Sequence, residues 1–524
     1  MPTSIKTIFF EFPVDKRLSV VQDDSEKIIT KLESNFDQIF LDAFGEYGAS
    51  EEVTNTFFYK TRVACLNPGG WLVGNLWTIT GDFIERRVQR QSTFNQLFQA
   101  RANQKGNIIL YASQNSKMPD MQNLFPSLMK ASRRSLYFPF SLGHFANDIV
   151  PCSVVVLAPA IALEMGLNPM EVGLLLTLHS FGSALGYLPS GLLADSFRNR
   201  GNLLMLTFWW VGLGYLLASW APGFWSLALL FALAGCGDAA WHPLATAILV
   251  QSDPQNRGQA LGLHAIGGTL SAVIGPVIVG FLLASMDWRE ALHWLILPTL
   301  LVGVLFLWIR KWVPEQPQRK AFSKEDLQHL WKTWTKKRGL LIICLISSYH
   351  MSLVALMSMI PLYLREFHGL SSAMTGLAFG MMVLFGAFMQ PLMGRLSDRA
   401  GRRRVIVFGI ATAAVCAFMI PVLENFGLLS MIIMFLLVGV GLLEGIRSSV
   451  LAAAVEFTGS REGTTLGFAF TLMDGLGAFG ALLAGWAAGI QFSHAFLLAG
   501  ILCTFSLILC FSVSLRSASV ANAV

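Results

Sequence analysis

From Leu136 onward, apolar segments of about 20–28 residues alternate with short polar breaks. A helix rises 1.5 Å per residue, so about 20 apolar residues cross a hydrocarbon core of ~30 Å. The pattern predicts twelve spans, near 136–163, 171–194, 202–220, 223–250, 258–285, 290–309, 339–364, 372–396, 404–423, 427–455, 463–490 and 493–514. Pro151, Pro159, Pro189, Pro243, Pro276 and Pro391 lie inside spans, which neighbouring helices tolerate in a membrane bundle. Residues 1–135 read differently. They mix stretches such as IKTIFFEF and GNIILYAS with an amphipathic segment at 23–44. A small cytoplasmic α+β module is the expectation there, with an unstructured extension as the alternative.

Composition sharpens this picture. The 524 residues are 54% hydrophobic and 13% charged, with a mean hydropathy of +0.56, whereas a soluble domain carries about 25% charged residues. Residues 136–524 hold only 22 of the 38 Lys and Arg and 18 of the 32 Asp and Glu. Seven cysteines are scattered without a CxxC pair or metal-ligand spacing, so neither a disulfide framework nor a metal site is expected. No basic stretch followed by an apolar core opens the chain, so no cleavable signal peptide is expected. The net charge of +6 matters less than its placement. Arg198, Arg200, Arg257, the basic loop at 311–338, Arg399, Arg402, Arg403, Arg404 and Arg461 all fall on one face if the spans alternate. The opposite face offers chiefly Arg289 and Arg365. The positive-inside rule puts the basic face and both termini in the cytoplasm of a plasma membrane or bacterial inner membrane.

The spans repeat. A shift of 203 residues superposes Gly166-Leu167 on Gly369-Leu370, Gly173-Leu174 on Gly376-Leu377, and Gly191, Leu193 and Asp195 on Gly394, Leu396 and Asp398. A shift of 204 matches Gly235 and Gly237 to Gly439 and Gly441, and one of 205 matches Gly258, Leu261, Gly262, Gly275 and Gly280 to Gly463, Leu466, Gly467, Gly480 and Gly485. The near-constant offset divides the chain into an extension at 1–135, six-helix halves at 136–310 and 339–515, a basic linker at 311–338 and a tail at 516–524. Parallel repeats of this kind mark a major class of secondary transporter.

Gly394-Arg395-Leu396-Ser397-Asp398-Arg399-Ala400-Gly401-Arg402-Arg403-Arg404 follows span 8. It resembles the loop motif G-x-L-x-D-R-x-G-R-R of the major facilitator superfamily. Its glycines would let two helices approach, and its carboxylate would latch onto a helix end or a basic side chain until the halves rock. The first-half copy keeps Gly191 and Asp195 but continues Ser196-Phe197-Arg198-Asn199-Arg200. Gly143-His144-Phe145-Ala146-Asn147-Asp148, Gly235-Cys236-Gly237-Asp238-Ala239-Ala240-Trp241-His242-Pro243, Gly267-Gly268 and Gly275-Pro276 resemble the fosmidomycin-resistance-type branch, whose members are proton-linked exporters. The resemblance implies an all-α fold of twelve transmembrane helices in two pseudo-symmetric halves. In that fold spans 3, 6, 9 and 12 are peripheral, and their interiors carry no Asp, Glu, Lys or Arg.

Ionisable groups inside spans cost roughly 2.5–3.5 kcal/mol on insertion scales and usually face a bundle interior. The candidates for a proton or substrate cavity are His144, Asn147 and Asp148 in span 1, Asp238 and His242 at i,i+4 in span 4, Glu444 and Arg447 at i,i+3 in span 10, and Asp474 in span 11. A carboxylate in a poorly hydrated cavity can exchange a proton near neutral pH; the alternative is a structural carboxylate held by a neighbouring helix. Glu444 and Arg447 either neutralise each other or expose Arg447 to an anion. His179, His264 and His350 stand alone in their spans and are expected to be packing residues. Gly475-Leu476-Gly477-Ala478-Phe479-Gly480 matches GxGxxG but lies inside a span, so helix packing is expected rather than a dinucleotide site. No G-x-x-x-x-G-K-[ST] loop for ATP occurs, and Arg402-Arg403-Arg404 is too short to argue for nucleic acid.

The leading expectation is a monomeric secondary transporter, not an enzyme, needing no cofactor. It would move a small drug-like or anionic compound outward across the lipid bilayer against protons, driven by the proton gradient. Proton-coupled uptake of a small organic acid is the alternative within that class. A membrane-anchored sensor or enzyme acting through residues 1–135 is the alternative outside it.

Overall fold

The computed structural model describes residues 136–253, 256–315, 332, 334–458 and 462–513, and the backbone of four strands between residues 36 and 113; side chains at 454–458 and 462–467 are not described. Most of the basic linker, Arg461, the tail and, apart from residues 36–41, the amphipathic segment at 23–44 lie outside the described residues. The chain divides into two units, Met1–Ser127 and Leu128–Val524.

In the first unit β1 (Phe36–Leu41), β2 (Leu66–Trp77), β3 (Gln96–Arg101) and β4 (Asn107–Ser113) form one sheet in the order β1-β2-β4-β3. β1 and β2 run parallel, while β4 is antiparallel to both β2 and β3. A parallel pair needs a crossover of a dozen or more residues, and residues 42–65 supply that length.

The second unit is helical, with twelve helices among the described residues long and apolar enough to cross a membrane. We number them α1 (Tyr137–Met165), α2 (Pro169–Ser196), α3 (Arg200–Ala218), α4 (Phe224–Ser252), α5 (Arg257–Leu282), α6 (Trp288–Ile309), α7 (Lys337–Phe367), α8 (Ser372–Ala400), α9 (Arg402–Asn425), α10 (Leu429–Thr458), α11 and α12 (His494–Ser512). α11 consists of two segments, Glu462–Gly477 and Phe479–Ile490, meeting at Ala478.

The repeat seen in the sequence has a backbone meaning. Gly166 ends α1 and Gly369 follows α7, both with φ of 67°, a left-handed conformation that glycine adopts without a Cβ penalty. Two residues on, Asn168 caps α2 by accepting from the Glu171 N–H (3.0 Å), and Ser371 caps α8 by accepting from the Met374 N–H (3.2 Å). Side-chain acceptors at these positions satisfy otherwise orphaned first-turn donors.

The halves meet where α2 packs on α11 and α5 on α8. Gly173 lies against the Ala481 carbonyl and Gly485 Cα, and Gly280 against the Ser372 carbonyl and Gly376 Cα. Gly173 and Gly376 are repeat equivalents, as are Gly280 and Gly485, so the two contacts are one contact made twice. Both sit at the end of the bundle away from the basic loops. Toward the other end Leu263 of α5 and Leu392 and Leu396 of α8 are exposed.

The break in α11 has a cause from the opposite half. Buried Thr177 of α2 donates its hydroxyl to the Ala478 carbonyl (2.9 Å) and accepts from the Leu482 N–H (3.1 Å). Those two backbone groups would bond each other in an uninterrupted helix, so the hydroxyl stands inside the i to i−4 ladder. The GxGxxG stretch is thus helix packing: Gly477 faces the His350 ring and Gly480 the Met351 carbonyl.

Candidate functional site

Helix periodicity puts His144 and Asp148 one turn apart on the inner side of α1, with Nε2 of His144 3.1 Å from Oδ2 of Asp148. His242 of α4 brings its Nε2 to 3.8 Å from Oδ1 of the same carboxylate. Asn147 is fully buried and bridges two acids, donating from Nδ2 to Asp148 Oδ1 (3.1 Å) and Asp238 Oδ1 (2.6 Å). The structure therefore gathers five sequence candidates, His144, Asn147, Asp148, Asp238 and His242, into one cluster between α1 and α4. Their side chains turn toward other helices of the bundle.

His264 corrects the expectation of a packing residue. Its ring stacks on His144 at a centroid distance of 4.2 Å, and its carbonyl accepts from His144 Nδ1 at 2.9 Å. Gly267 and Gly268 explain how α5 comes so close: a Cβ on Gly267 would run into the Ser141 carbonyl and one on Gly268 into the His144 ring. Those glycines were visible in the sequence, but the carbonyl and the ring they accommodate belong to another helix.

His350 is the second correction. Its Nε2 lies 3.3 Å from Asp474 Oδ1, pairing α7 with α11. α7 and α11 are the repeat counterparts of α1 and α5, so each half places a histidine contact between its first and fifth helices. His179 does behave as a packing residue, with its Nε2 2.7 Å from the buried Tyr215 hydroxyl. Glu444 and Arg447 approach to 3.9 Å, and a third of the Arg447 side chain stays accessible. Tyr187 connects the two sides physically: its ring stacks on Phe470 of α11 at 5.6 Å and lies 6.1 Å from the His242 ring. Sequence reasoning passed over Tyr187, because an aromatic in an apolar span carries no signal until its neighbours are known.

Asp398 is exposed and pairs with Arg402 one turn on, at 3.7 Å. Gly401 adopts φ of 95° at the joint of α8 and α9, which gives the motif's second glycine its reason. Gly191 and Gly394, expected at close helix contacts, are not there: a Cβ on them would lie 3.8 Å from Pro243 and 3.5 Å from Ser448. Helix pairs α2/α4 and α8/α10 are tight further along, as at Gly182 and Gly186 against α4, and are looser at these two positions. Arg403 donates to the Val513 carbonyl (2.6 Å) just past α12. Its repeat equivalent Arg200 donates to the Pro314 carbonyl (3.2 Å) past α6 and to Gln251 (2.6 Å). Both arginines tie the third helix of a half to the carbonyl end of its sixth, where cations are favoured. The contacts described for both arginines lie inside their own halves. Arg198, where the first copy departs from the motif, pairs with Glu315 at 2.9 Å. Asp195 and Arg399 lie on the last turns of α2 and α8.

Two six-helix halves with a repeated glycine contact and a buried ionisable cluster are features shared with known proteins. The sequence profile of the Major Facilitator Superfamily matches residues 140–479 and 350–523. The chain belongs to the Major Facilitator Superfamily. Among its relatives, the fosmidomycin resistance protein of Escherichia coli (strain K12) is 25% identical over 66% of this chain and 85% of its own length. A probable 4-methylmuconolactone transporter of Cupriavidus pinatubonensis is 27% identical over 51% of this chain and 62% of its own. The fold is similar to that of a bacterial homologue of the human lysosomal transporter Spinster, solved inward-facing and unoccupied, with a TM-score of 0.59 and 17% identity over 73% of this chain and 97% of that one. As a member of this superfamily the chain is a multi-pass membrane transporter of small molecules, and α3, α6, α9 and α12 hold its periphery, packing mainly within their own halves.

Proposed function

We propose that the protein exports a small anionic or drug-like compound in exchange for protons, by alternating access between two rocking halves. The observation that carries this reading is the pair of ionisable clusters, His144–Asp148–His242 in the first half and His350–Asp474 in the second. Their side chains are largely buried yet keep 12–25% of their surface accessible, as a proton site reached from a wet passage requires. Arg447 supplies the accessible positive charge for an anion, and the name of the Escherichia coli relative supports outward movement. Uptake of a small organic acid by proton symport is the second reading, favoured by the same arginine and by the name of the Cupriavidus relative. In the export reading the monomer sits in a bacterial inner membrane, with the basic loops, residues 1–135 and the C-terminus facing the cytoplasm. The proton gradient supplies the energy.

Purified protein in liposomes loaded with a pH-sensitive dye tests the proposal. Adding candidate anions to one side should move protons in the direction opposite to the anion, and Asp148→Asn should abolish that movement while the protein stays monodisperse. Solute flux that ignores the pH gradient, or full proton movement in Asp148→Asn, would refute it.

A further inference from the structure

The cluster between α1 and α4 contains a chemical conflict. The His264 carbonyl can only accept, so the 2.9 Å contact fixes the proton of His144 on Nδ1. In a neutral imidazole this leaves a bare lone pair on Nε2, facing the Asp148 carboxylate at 3.1 Å. Two electron-rich atoms at that distance need a positive charge between them. A proton is one solution. The remaining geometry favours a second.

Nε2 of His144, Nε2 of His242 and a carboxylate oxygen of Asp148 all lie within 4.8 Å of one another. Ligands about 2.1 Å from a tetrahedral centre stand about 3.4 Å apart; His144 Nε2 lies 3.1 Å from Oδ2 of Asp148 and His242 Nε2 3.8 Å from its Oδ1, so the two imidazoles meet different oxygens of one carboxylate at separations on either side of that value. The outer contacts are those of a metal centre too. A ligating histidine donates its other ring N–H to a carbonyl or carboxylate, and a ligating carboxylate is itself hydrogen-bonded; here the His264 carbonyl and Asn147 Nδ2 fill those roles. We propose that His144, Asp148 and His242 form a binding site for a divalent first-row transition-metal cation, with the remaining coordination positions open to water or to an anionic solute. Two imidazoles with one carboxylate suit zinc, cobalt, nickel or ferrous iron, whereas magnesium and calcium prefer all-oxygen sets. The ligands come from two helices, with 98 positions separating His144 from His242, so no local metal-ligand spacing announces them.

The inference does not depend on the direction proposed above; a bound cation would compete with protons for the same three groups, since the ligands bind it deprotonated. Cobalt(II) is the probe, titrated into full-length protein purified in detergent on a tag that contains no histidine, and followed by visible absorption and calorimetry. One ion per chain should bind with a d–d spectrum typical of nitrogen and oxygen ligands. His242→Gln and Asp148→Asn should each weaken binding by more than the roughly 10–100-fold typical of outer-shell changes, while His293→Gln, a histidine paired with Ser219 at 2.7 Å, should leave it intact. His242→Cys should restore binding and add a sulfur-to-cobalt charge-transfer band, which a purely structural role for His242 would not produce. Absence of saturable binding in the unaltered protein, or undiminished binding in both His242→Gln and Asp148→Asn, would overturn the site. Cobalt binding without solute flux would count against the transport proposal alone, and proton-coupled flux without cobalt binding against the metal site alone.

Discussion

The paired glycine contact makes a quantitative prediction about rocking. A Cβ on Gly376 would lie 3.0 Å from Gly280 Cα and closer still to the Pro276 carbonyl, and a Cβ on Gly173 would lie 3.2 Å from Gly485 Cα and closer to the Ala481 carbonyl. These neighbours are backbone, so no rotamer change relieves them. The helices must separate by about 1 Å to regain the ~3.5 Å at which non-bonded atoms attract. Overpacking of this kind costs about 1–3 kcal/mol, which is roughly a 5- to 150-fold shift away from closure at this end. Gly173→Ala with Gly376→Ala burdens both copies of the contact and should give more than either change alone. Spin labels at Leu167→Cys and Leu370→Cys, on the two equivalent loops at this end, would report the separation by double electron–electron resonance. The double variant should move the distance distribution from its short component to a longer one. Gly489→Ala is the control, because a Cβ there meets nothing within 4 Å. An unchanged distribution in a folded double variant would refute the gate.

Three further expectations follow from the same contacts. Thr177→Val keeps the shape but removes the hydroxyl between Ala478 and Leu482, and should loosen closure by about 1–3 kcal/mol; Thr177→Ser should not, and the same spin-label distances distinguish them. Tyr187→Phe should retain solute flux, since stacking on Phe470 needs only the ring, whereas Tyr187→Ala should lower it in a liposome assay. Removing residues 1–127, a unit separate from the helical one, should leave flux in liposomes within about twofold; loss of all flux would assign that unit a direct part in transport.

Much of the helical architecture was readable because a bilayer imposes length and polarity on every span. The twelve segments and the offset of 203–205 needed no tertiary knowledge. His144 and Asp148 were also readable as a pair, because one helix turn joins them. His264 and His350 were not, since what makes each of them part of a site is a side chain on a different helix, reached through helix crossings that periodicity does not encode. Gly268 and Gly477 show the limit clearly. A glycine in a span announces a close approach, but only the packed bundle reveals that the approaching groups are the His144 and His350 rings.

The repeat also separates machinery from chemistry. Positions that shape the bundle recur at the constant offset: Gly166 with Gly369, Gly173 with Gly376, Gly280 with Gly485, and Arg200 with Arg403. Positions that carry ionisable chemistry do not. The equivalents of His144, Asp148 and His242 are Ser347, Met351 and Ile446, and that of Asp474 is Thr269. A rocking motion about a pseudo-twofold axis needs matched surfaces, because each half must present to the other what it receives. A binding site at that axis needs the reverse, since a solute without twofold symmetry is gripped by different groups from each side. The first half concentrates carboxylates and imidazoles, while the second adds the Glu444–Arg447 pair. Transplanting the first-half ligands to their second-half equivalents should therefore leave the gate distances unchanged and alter only what binds at the centre.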